Sequence, residues 1–121
     1  MEKFKSMEEA REEYPESRYD ILTDEEATER AIESIKQTLW AFNADFLAGE
    51  TGIDSSVFEA IQANGKCEDN NDAVESCIDD IDEFVDAAIA ADGRGHFMSS
   101  YDGEENEIEI DGETYYLYRT N

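Results

Sequence analysis

Three side chains able to bind an anion or move a proton stand close together in Ala91-Asp92-Gly93-Arg94-Gly95-His96-Phe97: Asp92, Arg94 and His96. His96 is the only histidine of the 121 residues, and Arg94 is one of two basic residues after Lys66. An imidazole titrates near neutral pH, so beside an aspartate and a guanidinium it could serve an anion-binding or acid–base site. No nucleophile or metal cluster accompanies it in the sequence, which argues against an enzyme. The glycines favour a plainer reading. Gly93 has the position of a residue that ends a helix in left-handed conformation, with Arg94 and Gly95 turning the chain and Arg94 paired to a carboxylate.

A second set of charges is regularly spaced. Asp72, Glu75, Asp79, Asp82 and Asp86 recur at intervals of three and four, with Asp80 and Glu83 beside them. On one helix such carboxylates stand about 5–6 Å apart along the axis, a scale similar to that of nucleic-acid phosphates. A solvated helix face ordinarily mixes Glu with Lys for mutual support, yet no basic residue occurs from Cys67 to Gly93. The row therefore predicts a binding surface for a basic protein, supplying fixed negative charge and no chemistry. Lysines and arginines of the partner would release counterions there much as they do on DNA.

Other chemistries find no support. Neither Asp69 to Asp80 nor Asp102 to Glu113 fits a calcium-binding loop, and Cys67, Cys77 and His96 match no zinc spacing. Phosphate-binding, dinucleotide-binding and serine-hydrolase motifs are missing from the sequence. No cofactor, metal or catalytic residue is expected. Cys77 falls on an apolar helix face, while Cys67 is more exposed beside Lys66; two cysteines do not make a disulfide framework.

Thirty-three acids against nine bases give a formal charge of -24. Residues 1–66 hold 16 acids and 7 bases, net -9, and residues 67–121 hold 17 acids and 2 bases, net -15. Such a field repels nucleic acid and anionic membranes and draws in basic proteins. The hydrophobic content of 40% and aromatic content of 11% exceed what a disordered acidic chain carries. With no apolar stretch of membrane-spanning length and no leader pattern after Met1, the expectation is a single acidic cytoplasmic domain over residues 1–121. Residues 1–22 are expected to form a loosely packed helix and connector.

Capping boxes at Ser6 to Glu9 and Thr23 to Glu26 predict helix starts. The first helix should stop before Pro15. The second should run through Ile32, Ile35, Leu39, Phe42 and Phe46 and close at Gly49 or Gly52. Asp54 caps a third helix ending near Gly65, and a fourth starts at Asn70 to Asp72, has its inner face from Val74 to Ile89 and stops at Gly93. Thereafter the period falls to two. Glu107 to Ile110, the turn Asp111-Gly112 and Thr114 to Tyr118 predict a hairpin with Ile110 opposite Glu113 and Ile108 opposite Tyr115. Ile108, Ile110, Tyr115 and Leu117 then face the core, and Tyr116 and Tyr118 share the outer face with Glu107 and Glu109. The expected fold is α+β: about four helices followed by a small C-terminal antiparallel β-hairpin or three-stranded meander.

The run from Leu39 to Phe46 and the tail from ADGRGHFMSSYDGEEN to YYLYR resemble small acidic proteins of bacteriophages and prophages. The resemblance covers the chain from about Tyr19 onward. It implies a phage origin and a host-directed role, with no activity to carry over. By class and charge, acidic phage proteins such as restriction blockers, anti-CRISPR proteins and uracil-DNA glycosylase inhibitors imitate DNA. The leading expectation is a phage-encoded inhibitor, possessing no enzyme activity, that evades host defence by binding a basic DNA- or RNA-binding host protein. Its surface would be Asp72, Glu75, Asp79, Asp80, Asp82, Glu83 and Asp86. The first alternative is an interaction module for another kind of partner, anchored by Tyr116 and Tyr118. The second is a small ligand-binding protein or enzyme using Asp92, Arg94 and His96.

Overall fold

The computed structural model describes residues 1–64 and 67–121; the side chains of Asn64, Cys67 and Glu68 lie outside the described part. The expected end of a helix at Gly65 and the expected exposure of Cys67 beside Lys66 lie outside the described residues. In chain order the elements are β1 (Glu2–Phe4), α1 (Met7–Glu13), β2 (Tyr19–Leu22), α2 (Asp24–Gln37), α3 (Ala44–Thr51), α4 (Ser55–Asn64), α5 (Asn71–Glu75), α6 (Ile81–Asp92), α7 (Arg94–Met98), β3 (Asn106–Ile110) and β4 (Glu113–Arg119). Short 3-10 turns occupy Leu39–Ala41 and Cys67–Asn70. Four helices and a hairpin are therefore corrected to seven helices among the described residues and a four-stranded mixed sheet, within an α+β architecture.

The chain divides into two compact units, Met1–Ile32 with Asp92–Asn121, and Glu33–Ala91. The first holds the sheet, in the order β1-β3-β4-β2. β1 runs parallel to β3, while β3 with β4 and β4 with β2 are antiparallel. The hairpin register follows the sequence pattern: Ile110 lies opposite Glu113 and Ile108 opposite Tyr115. Asp111 and Gly112 supply the two positive φ angles, 50° and 82°, that this turn demands. On one face Ile21, Ile108, Ile110 and Leu117 pack with Ala10 of α1. On the other Leu22 and Tyr118 pack with Ala27 of α2, joined by Met98 of α7 and by Tyr116.

Two expectations fail here. Residues 1–22 are not a loose appendage, because they supply both edge strands and the fully buried Ala10. A strand of three or four residues carries almost no period, and the partners of β1 and β2 lie about a hundred residues away in sequence. The outer face assigned to Tyr116 and Tyr118 is also covered, by α2 and α7, and Tyr118 is fully buried.

In the second unit Ile35, Leu39, Leu47, Phe58, Val74, Phe84 and Val85 are buried, and the rings of Phe42, Phe46 and Phe84 meet with centroids 5.3–5.7 Å apart. The long second helix is interrupted. Thr38 Oγ1 donates to the Ser34 carbonyl oxygen, Phe42 is extended, and Asn43 caps α3 by accepting from Asp45 N–H at 2.8 Å. Gln62 donates to the carbonyls of Trp40 and Phe42 that the interruption leaves unpaired in a helix. The fourth helix is interrupted too. After Glu75 the ladder tightens, with Cys77 N–H on the Val74 carbonyl and Ile78 N–H on that of Glu75. Asp80 then caps α6 by accepting from Glu83 N–H at 3.2 Å.

Candidate functional site

Arg94 begins α7, where the sequence predicts a turn of the chain. Gly93 does adopt a positive φ of 81°, but with ψ 157°, an extended conformation open to glycine and not the left-handed helical one. The guanidinium is the hub of the first unit. Its Nε donates to Glu105 Oε1 at 2.8 Å, and its Nη1 to Asp24 Oδ1 at 2.7 Å and Thr28 Oγ1 at 3.0 Å. Its carbon lies 4.6 Å from the Tyr116 ring centroid, and the side chain is 13% exposed. Glu105 also accepts from the Tyr118 hydroxyl. Burial alone would lower the Arg94 pKa, but the hydrogen bonds to Glu105 and Asp24 together outweigh it and raise it. Burial, then the bond to Glu105, raises the Tyr118 hydroxyl.

Asp92, Arg94 and His96 are not assembled into one site. Arg94 is engaged by Asp24 and Glu105, while Asp92 and His96 are exposed and the His96 ring meets Phe97 edge-on. The pairing of Arg94 with a carboxylate was foreseen; Asp24, 70 residues away, and Glu105 were not, since no local pattern marks them.

Asp72, Glu75, Asp79, Asp80, Asp82, Glu83 and Asp86 are all exposed, but no single helix carries them. Asp72 and Glu75 belong to α5, Asp79 and Asp80 to the interruption, and Asp82, Glu83 and Asp86 to α6. An even ladder of carboxylates is replaced by two short sets and a break. The break gives three of the seven acids a local role. Asp80, Asp82 and Glu83 sit at the start of α6, where the helix dipole favours negative charge. Among the described residues Lys36, 3.9 Å from Asp82, is the one basic side chain within ion-pair distance of the seven. At the break Glu50 and Thr51 of α3 join Asp79, Asp80 and Glu83 around a notch of about 180 Å³ floored by Ile78 and Phe84. Glu50 had no place in the sequence reading because it belongs to another helix.

Cys77 is half-buried, and its thiol meets the Ala73 carbonyl at 3.5 Å. Among the described residues no group of three or more His, Cys, Asp or Glu side chains could hold a metal ion. No helix among them is long and apolar enough to cross a membrane. Comparisons with protein-family models, with curated proteins and with solved structures find no match.

The loop behind Arg94 is itself built on a carboxylate. Asp102 accepts from Glu104 N–H at 2.9 Å and is bonded to the Ser99 hydroxyl at 2.8 Å. These bonds, the one from Glu104 first, hold its pKa below the ordinary value. A depressed folded pKa contributes stability that is present above the unfolded pKa and lost as pH falls through the folded one. Asp102→Asn is therefore expected to be less stable than the natural chain at neutral pH, and the gap should shrink as both are titrated to acid. Melting temperatures measured from pH 7 down to acid check this; a gap that widens on acidification refutes it.

Proposed function

We propose that the chain is a bacteriophage-encoded inhibitor acting in the host cytoplasm, which binds the basic nucleic-acid-binding surface of a host protein and competes with DNA or RNA for it. The observation that carries this reading is the cluster from Asp72 to Asp86: seven exposed acids with, among the described residues, a single lysine in reach, in a chain of formal charge -24. The notch beside Phe84 suits a lysine or arginine of the partner, whose aliphatic stem can lie on Ile78 and Phe84 while its charge meets Glu50, Asp79, Asp80 and Glu83. The interruption at Asp79 and Asp80 rules out an evenly spaced helical ladder, so the proposed competition rests on charge and on the notch. The tyrosine-anchored alternative loses support, because Tyr118 is buried and Tyr116 lies under Arg94.

Capture from host lysate at low and high salt, followed by competition of duplex DNA against each captured protein, tests the reading. The expected result is a nucleic-acid-binding protein held at low salt, released at high salt and displaced by DNA. Changing Asp72, Glu75, Asp79, Asp82 and Asp86 to Asn or Gln should weaken binding roughly a hundredfold, at about 0.5 kcal/mol for each exposed charge. The control changes Glu8, Glu12, Glu16, Glu25 and Glu29, all exposed, to Gln, an equal loss of charge elsewhere. Equal weakening by both sets would reduce the surface to a property of net charge, and unchanged affinity in the first set would remove it altogether.

A further inference from the structure

The sheet face that carries α1 is incompletely covered. α1 has seven residues and is roughly 10 Å long, whereas the seven residues of β4 extend roughly 23 Å. At the Tyr14 end of α1 the face opens into a cavity of about 370 Å³. Its floor is formed by Ile108 and Leu117, and Tyr14 and Tyr19 wall it, their rings edge to face at 5.0 Å.

Four charged residues line this cavity, Glu2, Asp102, Glu107 and Arg119; Glu107, opposite Tyr116, belongs by alternation to the other face of the sheet. Glu2 pairs with Ile108 in the register of β1 and β3, and Arg119 pairs with Tyr19 in that of β4 and β2. Alternation along the strands puts both on the face of Ile108 and Leu117. Asn106, opposite Leu117, lies on the same face. Glu2 and Arg119 are each held by tyrosine. Glu2 accepts from the Tyr14 hydroxyl, which raises the pKa of that hydroxyl. The Arg119 guanidinium carbon is 3.7 Å from the Tyr101 ring centroid and 5.9 Å from that of Tyr19, with Nε donating to the Asn121 carbonyl at 3.3 Å. In a chain with 33 acids, no Asp or Glu side chain among the described residues lies within 4.0 Å of the Arg119 guanidinium, and no Lys, Arg or His side chain among them lies within 4.0 Å of the Glu2 carboxylate. Asp102 also lines the cavity, but Ser99 and Glu104 N–H engage its carboxylate.

We propose that this cleft binds a small zwitterion of amino-acid to dipeptide size. The ammonium group meets Glu2, the carboxylate meets Arg119, the Asn106 amide bridges between them, and the apolar part lies against Tyr14, Tyr19 and Leu117. The volume falls at the lower end of the range for small-molecule pockets. A purely anionic ligand would approach against the field of the whole chain. A purely cationic one would be left facing the guanidinium. A zwitterion pairs both charges and covers the apolar floor. The cleft lies in the sheet-bearing unit and the acids from Asp72 to Asp86 in the other, so this inference does not depend on the proposed basic partner.

Titration of the isotope-labelled chain, followed by its backbone amide resonances, tests it. The probes are leucine, tyrosine and the dipeptides of the two, each also as its N-acetylated and its C-amidated form. At least one zwitterion should produce saturable shifts at Tyr19, Asn106 and Leu117 at millimolar concentration or below. Its acetylated and amidated forms, and the variants Glu2→Gln and Arg119→Gln, should each bind about tenfold more weakly or worse. Glu2 is exposed at the chain start, so its variant keeps the test decisive if loss of Arg119 disturbs the sheet. Absence of saturable shifts with every zwitterion, equal binding of a blocked form, or unchanged binding by Glu2→Gln overturns the proposal.

Discussion

Replacing Arg94 by alanine is expected to destabilise the sheet-bearing unit by about 2–3 kcal/mol, among the larger effects a single side chain can have. The guanidinium is 13% exposed and pairs with Glu105 and Asp24, whose side chains are 30% and 73% exposed. Removing it leaves the Glu105 carboxylate beside Tyr118 without its cation, and this loss dominates. The Asp24 pair contributes little, because solvent screens it. The hydrogen bond to Thr28 and the stacking on Tyr116 are lost as well. In urea the midpoint should fall by roughly 1 M at unchanged slope. His96→Ala, which removes an exposed ring, should stay within about 0.5 kcal/mol of the natural chain. A double-mutant cycle with Glu105→Gln should show coupling between Arg94 and Glu105. Arg94→Ala unfolding at the natural midpoint would show the hub to be ornamental.

That contrast bears on function. The residues most able to do chemistry are divided between a structural hub and open surface. Arg94 is committed to holding α2, α7 and the loop at Glu105, and His96 is exposed with its ring against Phe97. What the fold leaves available is charge from Asp72 to Asp86 and the cleft between Glu2 and Arg119.

The legible parts of the fold were those written in adjacent residues. Both caps form, with Glu9 N–H on Ser6 Oγ and Glu26 N–H on Thr23 Oγ1; Glu26 closes its box on Thr23 N–H, while Glu9 reaches back one residue further, to Lys5 N–H. The hairpin register follows from a two-residue turn and strict alternation. The helices were read as too long because apolar spacing continues through an interruption. Ile35, Leu39, Phe42 and Phe46 keep helical intervals although the chain leaves the helix at Gln37 and re-enters it at Ala44. The stop signals were polar: Asn43 and Asp80 are good capping residues lodged inside an apolar pattern. The site was legible as charge and illegible as shape. Acid spacing shows in one dimension, but Glu50 reaches the notch, and Glu2 and Arg119 reach one cavity, through packing and strand pairing across the chain.

Gly95→Ala is expected to cost about 2–3 kcal/mol, although helix propensity alone would favour alanine by about 1 kcal/mol. Gly95 lies inside α7 with ordinary helical φ, so backbone freedom is not the reason. An added Cβ would stand 2.5 Å from the Gly103 carbonyl oxygen and 2.8 Å from Glu104 C and Glu105 N, all main-chain atoms. The loop has little room to retreat. Ser99 and Asp102 bind each other, Gly103 N–H donates to the Ser99 carbonyl, and Glu105 is gripped by Arg94 and Tyr118. Pushing the loop outward therefore loosens the Arg94 pair, and Gly95→Ala should combine less than additively with Arg94→Ala. Gly49 is the matched control. It is helical, and nothing lies within 4 Å of its added Cβ, so Gly49→Ala should stabilise by about 0.5–1 kcal/mol. Opposite signs in the two urea midpoints are the expected result. A Gly95→Ala chain as stable as the natural one would mean that α7 and the Gly103–Glu105 loop are not held in contact, and the hub at Arg94 would lose its footing with them.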